Sequence, residues 1–158
     1  MQNARLRDDP AMLDASGLRI ALVQARFNVH ITDRLLESCT RQLRELGAEP
    51  AQVLSVPGAL EVPQALEWLA RRGDVDALVA LGCVIRGATY HFELVCDISA
   101  AGVQQVALHH GIAVANGILT VEDEAQALER IDKGAECARV AVEMARLARA
   151  LRMGVQAS

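Results

Sequence analysis

The chain has 158 residues, of which 52 % are hydrophobic and 23 % charged, with a net charge of −4. That is the length of one domain, long enough to bury a self-sufficient core, and it excludes a disordered tail protein, a collagen-like chain and a small disulfide scaffold. Sixteen Lys+Arg against twenty Asp+Glu leave no basic excess, so neither nucleic acid nor an anionic membrane is expected as a partner.

Residues 1–15 are polar and read as an N-terminal extension, placed along a neighbouring subunit's sheet edge, ahead of a single domain over 16–158. They hold no apolar signal-peptide run, and no stretch approaches membrane-spanning length, so a cytoplasmic protein is expected. A short apolar run, Arg19–Gln24, reads as a buried strand. Apolar residues at 31, 35, 36, 39, 43 and 46 have helical spacing, and Gly47 stops that helix. Gln52–Val56 is a second strand, and Pro63–Leu69 a short helix closed by Arg71-Arg72-Gly73. Ala77–Ile85 is the strongest strand and His91–Leu108 a long helix. Ile112–Leu119 is a fourth strand, Thr120 with Asp123 resembles a helix cap, and helices follow over Glu124–Ile131 and Gly134–Arg152. With one Trp, one Tyr and two Phe, the core must be packed with Ala, Val, Leu and Ile. Cys39, Cys83, Cys96 and Cys137 form no C-x-x-C pair and no zinc-finger spacing, so free thiols and no metal site are expected.

Strands alternating with helices, and apolar along their whole length, indicate an α/β fold with a parallel sheet covered on both faces. In such sheets ligands bind in the loops at the carboxyl ends of the strands. Those loops are Ala25–Asn28, Pro57–Glu61, Arg86–His91 and Thr120–Asp123. Phe27, directly after the first strand, suits a stacking platform for a planar ligand. Arg86-Gly87-Ala88-Thr89 precedes a helix, where free N–H groups and the dipole favour an anion. Gly87 permits close backbone approach and Thr89 adds a hydroxyl donor. His91, beside that site, has the side chain best suited to proton transfer near neutrality. Glu61 can accept hydrogen bonds from ligand hydroxyls. Arg130, with Lys133, Asp132 and Glu136 around a helix break, offers a fork for phosphate. His30, His109 and His110 read as structural. The pattern is neither a Walker loop nor a dinucleotide fingerprint.

Four segments carry a more specific likeness: Arg26-Phe27-Asn28, Val56-Pro57-Gly58-Ala59-Leu60-Glu61-Val62-Pro63, Leu81 through Phe92, and Asn116-Gly117-Ile118-Leu119-Thr120. In this order they resemble the 6,7-dimethyl-8-ribityllumazine synthase family, over about Gly17 to Leu151. The resemblance implies a flavodoxin-like α/β/α sandwich with four parallel strands. It implies condensation of 5-amino-6-(D-ribitylamino)uracil with 3,4-dihydroxy-2-butanone 4-phosphate, with loss of phosphate and water and with no cofactor. It implies Phe27 stacked on the pyrimidine, Ala59, Leu60 and Glu61 along the ribityl chain, and Cys83, Val84 and Ile85 at the uracil edge. Ala88 and Thr89 would bind the phosphate and His91 would transfer protons. Asn116 and Arg130 would come from the adjacent subunit of a pentamer, Arg130 gripping the phosphate, with Lys133 and Glu136 near the same site. Two departures stand out. Asn116 occupies a position where many members carry an aromatic ring. Only Ile131 and Asp132 separate Arg130 from Lys133-Gly134, a shorter linker than in many members, in a loop that helps decide between free pentamers and sixty-subunit shells; a pentamer or a dimer of pentamers is expected. A flavin- or pterin-binding module of the same fold would keep Phe27 and Glu61 but would not need the phosphate grip or His91. A phospho-receiver domain is excluded, because Ala25-Arg26-Phe27 and Arg86 stand where it requires acidic residues.

Overall fold

The computed structural model of the chain describes residues 9–154. Among them, β1 (Ile20–Ala25), β2 (Gln52–Val56), β3 (Ala77–Ile85) and β4 (Ala113–Val121) form one parallel sheet in the order β2-β1-β3-β4. Helices α1 (Val29–Glu45) and α5 (Lys133–Arg152) cover one face, and α2 (Val62–Arg72) and α3 (His91–His110) the other. A short α4 (Glu124–Leu128) follows β4. This is the parallel sheet covered on both faces that the alternating pattern predicts, and the flavodoxin-like α/β/α sandwich that the family resemblance implies.

The central strands explain why their sequences are apolar throughout. Successive side chains point to opposite faces. Ile20 and Leu22 of β1 therefore enter the core under α1 and α5, while Ala21, Val23 and Ala25 enter the core under α2 and α3. Every residue of β1 is buried. The edge strands depart from the expectation of full cover. β2 alternates half-buried and exposed residues, with Val53 44 % exposed, and β4 leaves Asn116 and Thr120 exposed. Two helices per face, each about 10 Å across, sit over the central pair and leave the rims open.

The core is aliphatic, as the scarcity of rings requires. Its largest fully buried side chains are Ile, Leu and Val, each stabilising the fold by about 1.5–3 kcal/mol. Phe27, Trp68 and Tyr90 stand outside it. The alanine-rich face of α5 has a specific cause. A Cβ at Gly134 would lie 2.2 Å from the Leu35 carbonyl oxygen, so α1 and α5 meet backbone to backbone. Ser38 then accepts a hydrogen bond from the Ala135 N–H at 3.2 Å across that contact.

Three local expectations change. The helix after β4 ends at Leu128 and does not reach Ile131, because the Arg130 and Lys133 N–H groups turn back to Ala127 and Arg130 carbonyls. Thr120 belongs to β4, and Asp123 alone caps α4 by accepting from the Gln126 N–H at 2.9 Å. Within the N-terminal segment, Leu13 and Ala15 are buried against this chain's own core. Residues 1–8 of the expected extension lie outside the described residues.

Candidate active site

The carboxyl end of β1 runs directly into a turn that is held open by hydrogen bonds. The Arg26 and Phe27 N–H groups donate to the Val56 and Pro57 carbonyls at 2.9 and 3.2 Å, which ties this turn to the end of β2. Asn28 follows with φ 56°, the one positive φ outside glycine among the described residues. Asparagine tolerates this region better than most residues. Its side-chain amide donates to the Cys83 carbonyl at 3.0 Å, which fixes the Phe27 turn against the end of β3. The Phe27 ring is left 71 % exposed.

The β2–α2 turn brings its backbone close to that ring. A Cβ at Gly58 would lie 2.9 Å from Phe27 Cδ2 and 3.1 Å from a Glu61 carboxylate oxygen. A larger residue here would have to displace the ring or the carboxylate. Phe27, Gly58, Ala59, Leu60 and Glu61 form one wall of an open cleft of about 280 Å³. Cys83, Val84 and Ile85 at the end of β3 form its floor, and His91 and Val95 at the start of α3 close the far side. The Glu61 carboxylate and the His91 imidazole have no side-chain partner among the described residues. Both are free for a ligand. Burial pushes the Cys83 thiol up to about 11, so it is a neutral lining group at pH 7 and not a nucleophile.

Thr89 helps start α3 and keeps its O–H available to donate. Its hydroxyl oxygen accepts from the His91 N–H at 3.4 Å at the start of α3. Ala88 and Thr89 are exposed on the loop beside the cleft and do not line it. Among the described residues nothing crowds Gly87, which leaves space around the loop backbone. The Arg86 side chain is engaged within the chain. Its guanidinium donates to Glu122 at 2.6 Å and to Glu93, and lies 4.2 Å above the Phe92 ring. Those two carboxylates raise the Arg86 pKa above its ordinary value, and Arg86 in turn holds Glu93 below the usual carboxylate range.

The residues that the resemblance assigns to the adjacent subunit's share of the site, and the two beside them, do not line this chain's own cleft. Sheet register pairs Asn116 with Ala80, three residues before Cys83 and so about 10 Å down the sheet from the cleft floor. Arg130 sits on the α4–α5 turn, where its guanidinium donates to the Gln126 carbonyl at 2.7 Å. Lys133 and Glu136 pair with each other at 3.1 Å in the first turn of α5. Conversely, Asn28, Gly58 and Val95 belong to the site and were not singled out from the sequence. Asn28 and Gly58 carried a signal, as residues suited to strained or crowded turns immediately after strands. Val95 carried none beyond helical spacing from His91.

An open parallel α/β sheet with an aromatic ring, a free carboxylate and a free imidazole around a cleft at its strand ends defines a small-molecule enzyme of the doubly wound class. Sequence comparison makes this specific. The profile of the 6,7-dimethyl-8-ribityllumazine synthase family matches residues 17–149. The chain is 57 % identical over 150 residues to the 6,7-dimethyl-8-ribityllumazine synthase of Leptothrix cholodnii, covering 93 % of this chain and 97 % of that one. It is 56 % identical over 140 residues to the enzyme of the same name from Methylibium petroleiphilum, covering 87 % and 88 %. With that of an Azoarcus species the identity is 49 % over 142 residues, covering 88 % and 91 %. The chain belongs to the 6,7-dimethyl-8-ribityllumazine synthase family. It is an enzyme, a transferase of riboflavin biosynthesis. No helix among the described residues is long and apolar enough to cross a membrane.

Proposed function

We propose that the enzyme condenses 5-amino-6-(D-ribitylamino)uracil with 3,4-dihydroxy-2-butanone 4-phosphate to give 6,7-dimethyl-8-ribityllumazine, phosphate and water. The observation that carries this reading is the convergence of Phe27, Glu61, the Cys83–Ile85 edge and an unpartnered His91 on one cleft. The exposed Phe27 ring offers a face for the pyrimidine, and the free Glu61 carboxylate can accept from ribityl hydroxyls. Backbone groups of Cys83, Val84 and Ile85 suit a uracil edge.

The chemistry joins the pyrimidine amine to the ketone as an imine, expels phosphate, and closes the second ring. His91, at the cleft and unpaired, is the group assigned to move protons in these steps. Ala88 and Thr89 are assigned to the phosphate. Much of the acceleration comes from holding two intrinsically reactive partners together.

One chain does not complete this site. The cleft, at about 280 Å³, is at the small end of ligand pockets, which run from about 300 to 1,000 Å³. It suits one substrate and not two. The register of Asn116 and the position of Arg130 on a separate turn support their supply by a neighbouring subunit. The surface fits that arrangement. α3 is apolar on most sides, yet Ile98 and Leu108 are 54 % and 74 % exposed, and such a helix ordinarily needs cover. The assembly we favour is a pentamer or a dimer of pentamers, with sites at subunit interfaces, Arg130 facing the phosphate and Lys133 and Glu136 beside it.

The test is a rate. Purified enzyme is mixed with both substrates and fluorescent lumazine is followed above the uncatalysed background, with light scattering on the same sample. A protein-dependent rate in an oligomer, lost in Arg130→Ala, supports the reading. A monomer at micromolar concentration, or no acceleration with riboflavin still bound tightly, overturns it in favour of a flavin-binding module.

A further inference from the structure

Arg86 occupies a position that neither its charge nor its exposure explains. Its side chain is 39 % exposed, and its partners Glu93 and Glu122 are 38 % and 57 % exposed. Ion pairs this wet add little to stability. Their geometry is nonetheless specific. One guanidinium donates to Glu93 in the first turn of α3 and to Glu122 just past β4, and lies over Phe92, the residue after His91. The Arg86 N–H donates to the Val121 carbonyl at 2.9 Å, so backbone and side chain hold the same β4 end. The Gly87–Tyr90 loop is thereby fixed at both ends by one residue. Glu122 extends the connection. Its N–H donates to Gln126 Oε1 at 3.0 Å, and the Gln126 carbonyl receives the Arg130 guanidinium at 2.7 Å.

The charge balance bears on the phosphate. One cation between two carboxylates is net negative, so an incoming phosphate oxygen would meet Glu93 and Glu122 as well as the guanidinium. A planar fork suits this bridging, which a point charge could not reproduce.

We propose that Arg86 is a positioning residue: its guanidinium, bridging Glu93 and Glu122 over the Phe92 ring, fixes the Gly87–Tyr90 loop and the His91 imidazole, and does not itself grip the substrate phosphate. This rests on the synthase reading above. Arg86→Met, Glu93→Gln and the double variant are compared with the unmodified enzyme by steady-state lumazine formation, by inhibition with inorganic phosphate, and by hydrogen exchange of residues 87–91 without substrates. Arg86→Met lowers kcat about 10- to 100-fold, the range for a misplaced reacting group. KM for each substrate and the phosphate inhibition constant stay within about threefold. Glu93→Gln, an isosteric change that keeps the fold, lowers kcat in the same direction, and the double variant is no worse than Arg86→Met because one clamp has been broken twice. Exchange at 87–91 quickens in Arg86→Met. An unchanged kcat, additive losses in the double variant, or phosphate inhibition weakened by about tenfold or more overturns the proposal. If the unmodified enzyme forms no lumazine, the synthase reading falls by itself, and the exchange rates alone decide whether Arg86 holds the loop.

Discussion

The two ends of the sheet use the same residue types in opposite ways. At the amino ends of the strands, polar groups close on one another. Asp76 accepts from the Arg19 N–H at 2.7 Å and from Arg149 at 2.9 Å. Arg149 also donates to the Gly17 carbonyl, and Arg146 donates to the Asp14 and Ser16 carbonyls at 2.6 Å each. At the carboxyl ends, Phe27 is exposed, and Glu61 and His91 have no side-chain partner among the described residues. The difference is thermodynamic. A satisfied polar cluster stabilises the fold, while groups left open contribute little to it and become useful when a ligand supplies the missing partner. Outside the cleft the carboxyl end also holds satisfied polar groups, among them Arg86 and the His30–Glu124 pair at 2.9 Å.

If the division is real, substitutions at one end change turnover without changing stability, and those at the other do the reverse. The largest effect expected is from His91→Ala, which lowers kcat about 10²-fold while the melting temperature stays put. Turnover above the uncatalysed rate remains, because orientation persists. Complete loss with intact folding and binding would show that proton transfer dominates over orientation. Asp76→Ala is the mirror experiment. It leaves the Arg19 N–H and Arg149 short of an acceptor and costs about 2 kcal/mol in urea unfolding, with activity per folded molecule unchanged. A fall in kcat for this variant would dissolve the comparison.

Gly58→Ala sharpens it on a finer scale. The new methyl displaces the Phe27 ring or the Glu61 carboxylate, and KM for the pyrimidine rises about fivefold with kcat nearly preserved, as read from saturation curves. The smallest effect belongs to Glu67, on α2, which accepts from His110 at the end of α3 at 2.7 Å. That hydrogen bond and the one from Arg71 hold its carboxyl below the usual carboxylate range. A depressed folded pKa contributes stability above the unfolded value that is lost as pH falls through the folded one. Thermal melts should show Glu67→Gln slightly less stable than the parent at pH 6, with the gap closing as pH drops below about 4. A gap that persists at low pH would assign the contact to packing instead.

Part of this site was legible before any coordinates. Phe27, Ala59 to Glu61 and His91 all follow strands, and a parallel sheet delivers strand ends to one rim, so order along the chain sufficed to group them; Cys83 to Ile85, the last residues of β3, came only from the family resemblance. Asn28 escaped because its role depends on a left-handed turn and on reaching the Cys83 carbonyl on the neighbouring strand, 55 residues away in sequence. Nothing in the sequence shows that Arg86 is paired, because its partners, Glu93 and Glu122, are 7 and 36 residues away.

The sequence by itself determined the alternation of strands and helices, an aliphatic core and the family. Those features are local, set by apolar periodicity, by residue composition and by contiguous motifs, and they survive without knowledge of neighbours in space. Tertiary structure alone decided which rims of the sheet stay open, why Gly134 admits no side chain and a Cβ at Gly58 would crowd Phe27 and Glu61, which cations are already paired and which expected residues do not line the cleft within one chain. Each of these depends on how close elements distant in sequence approach one another. That distance is fixed only when α1 meets α5 and when the ends of β1, β2 and β3 converge on one cleft.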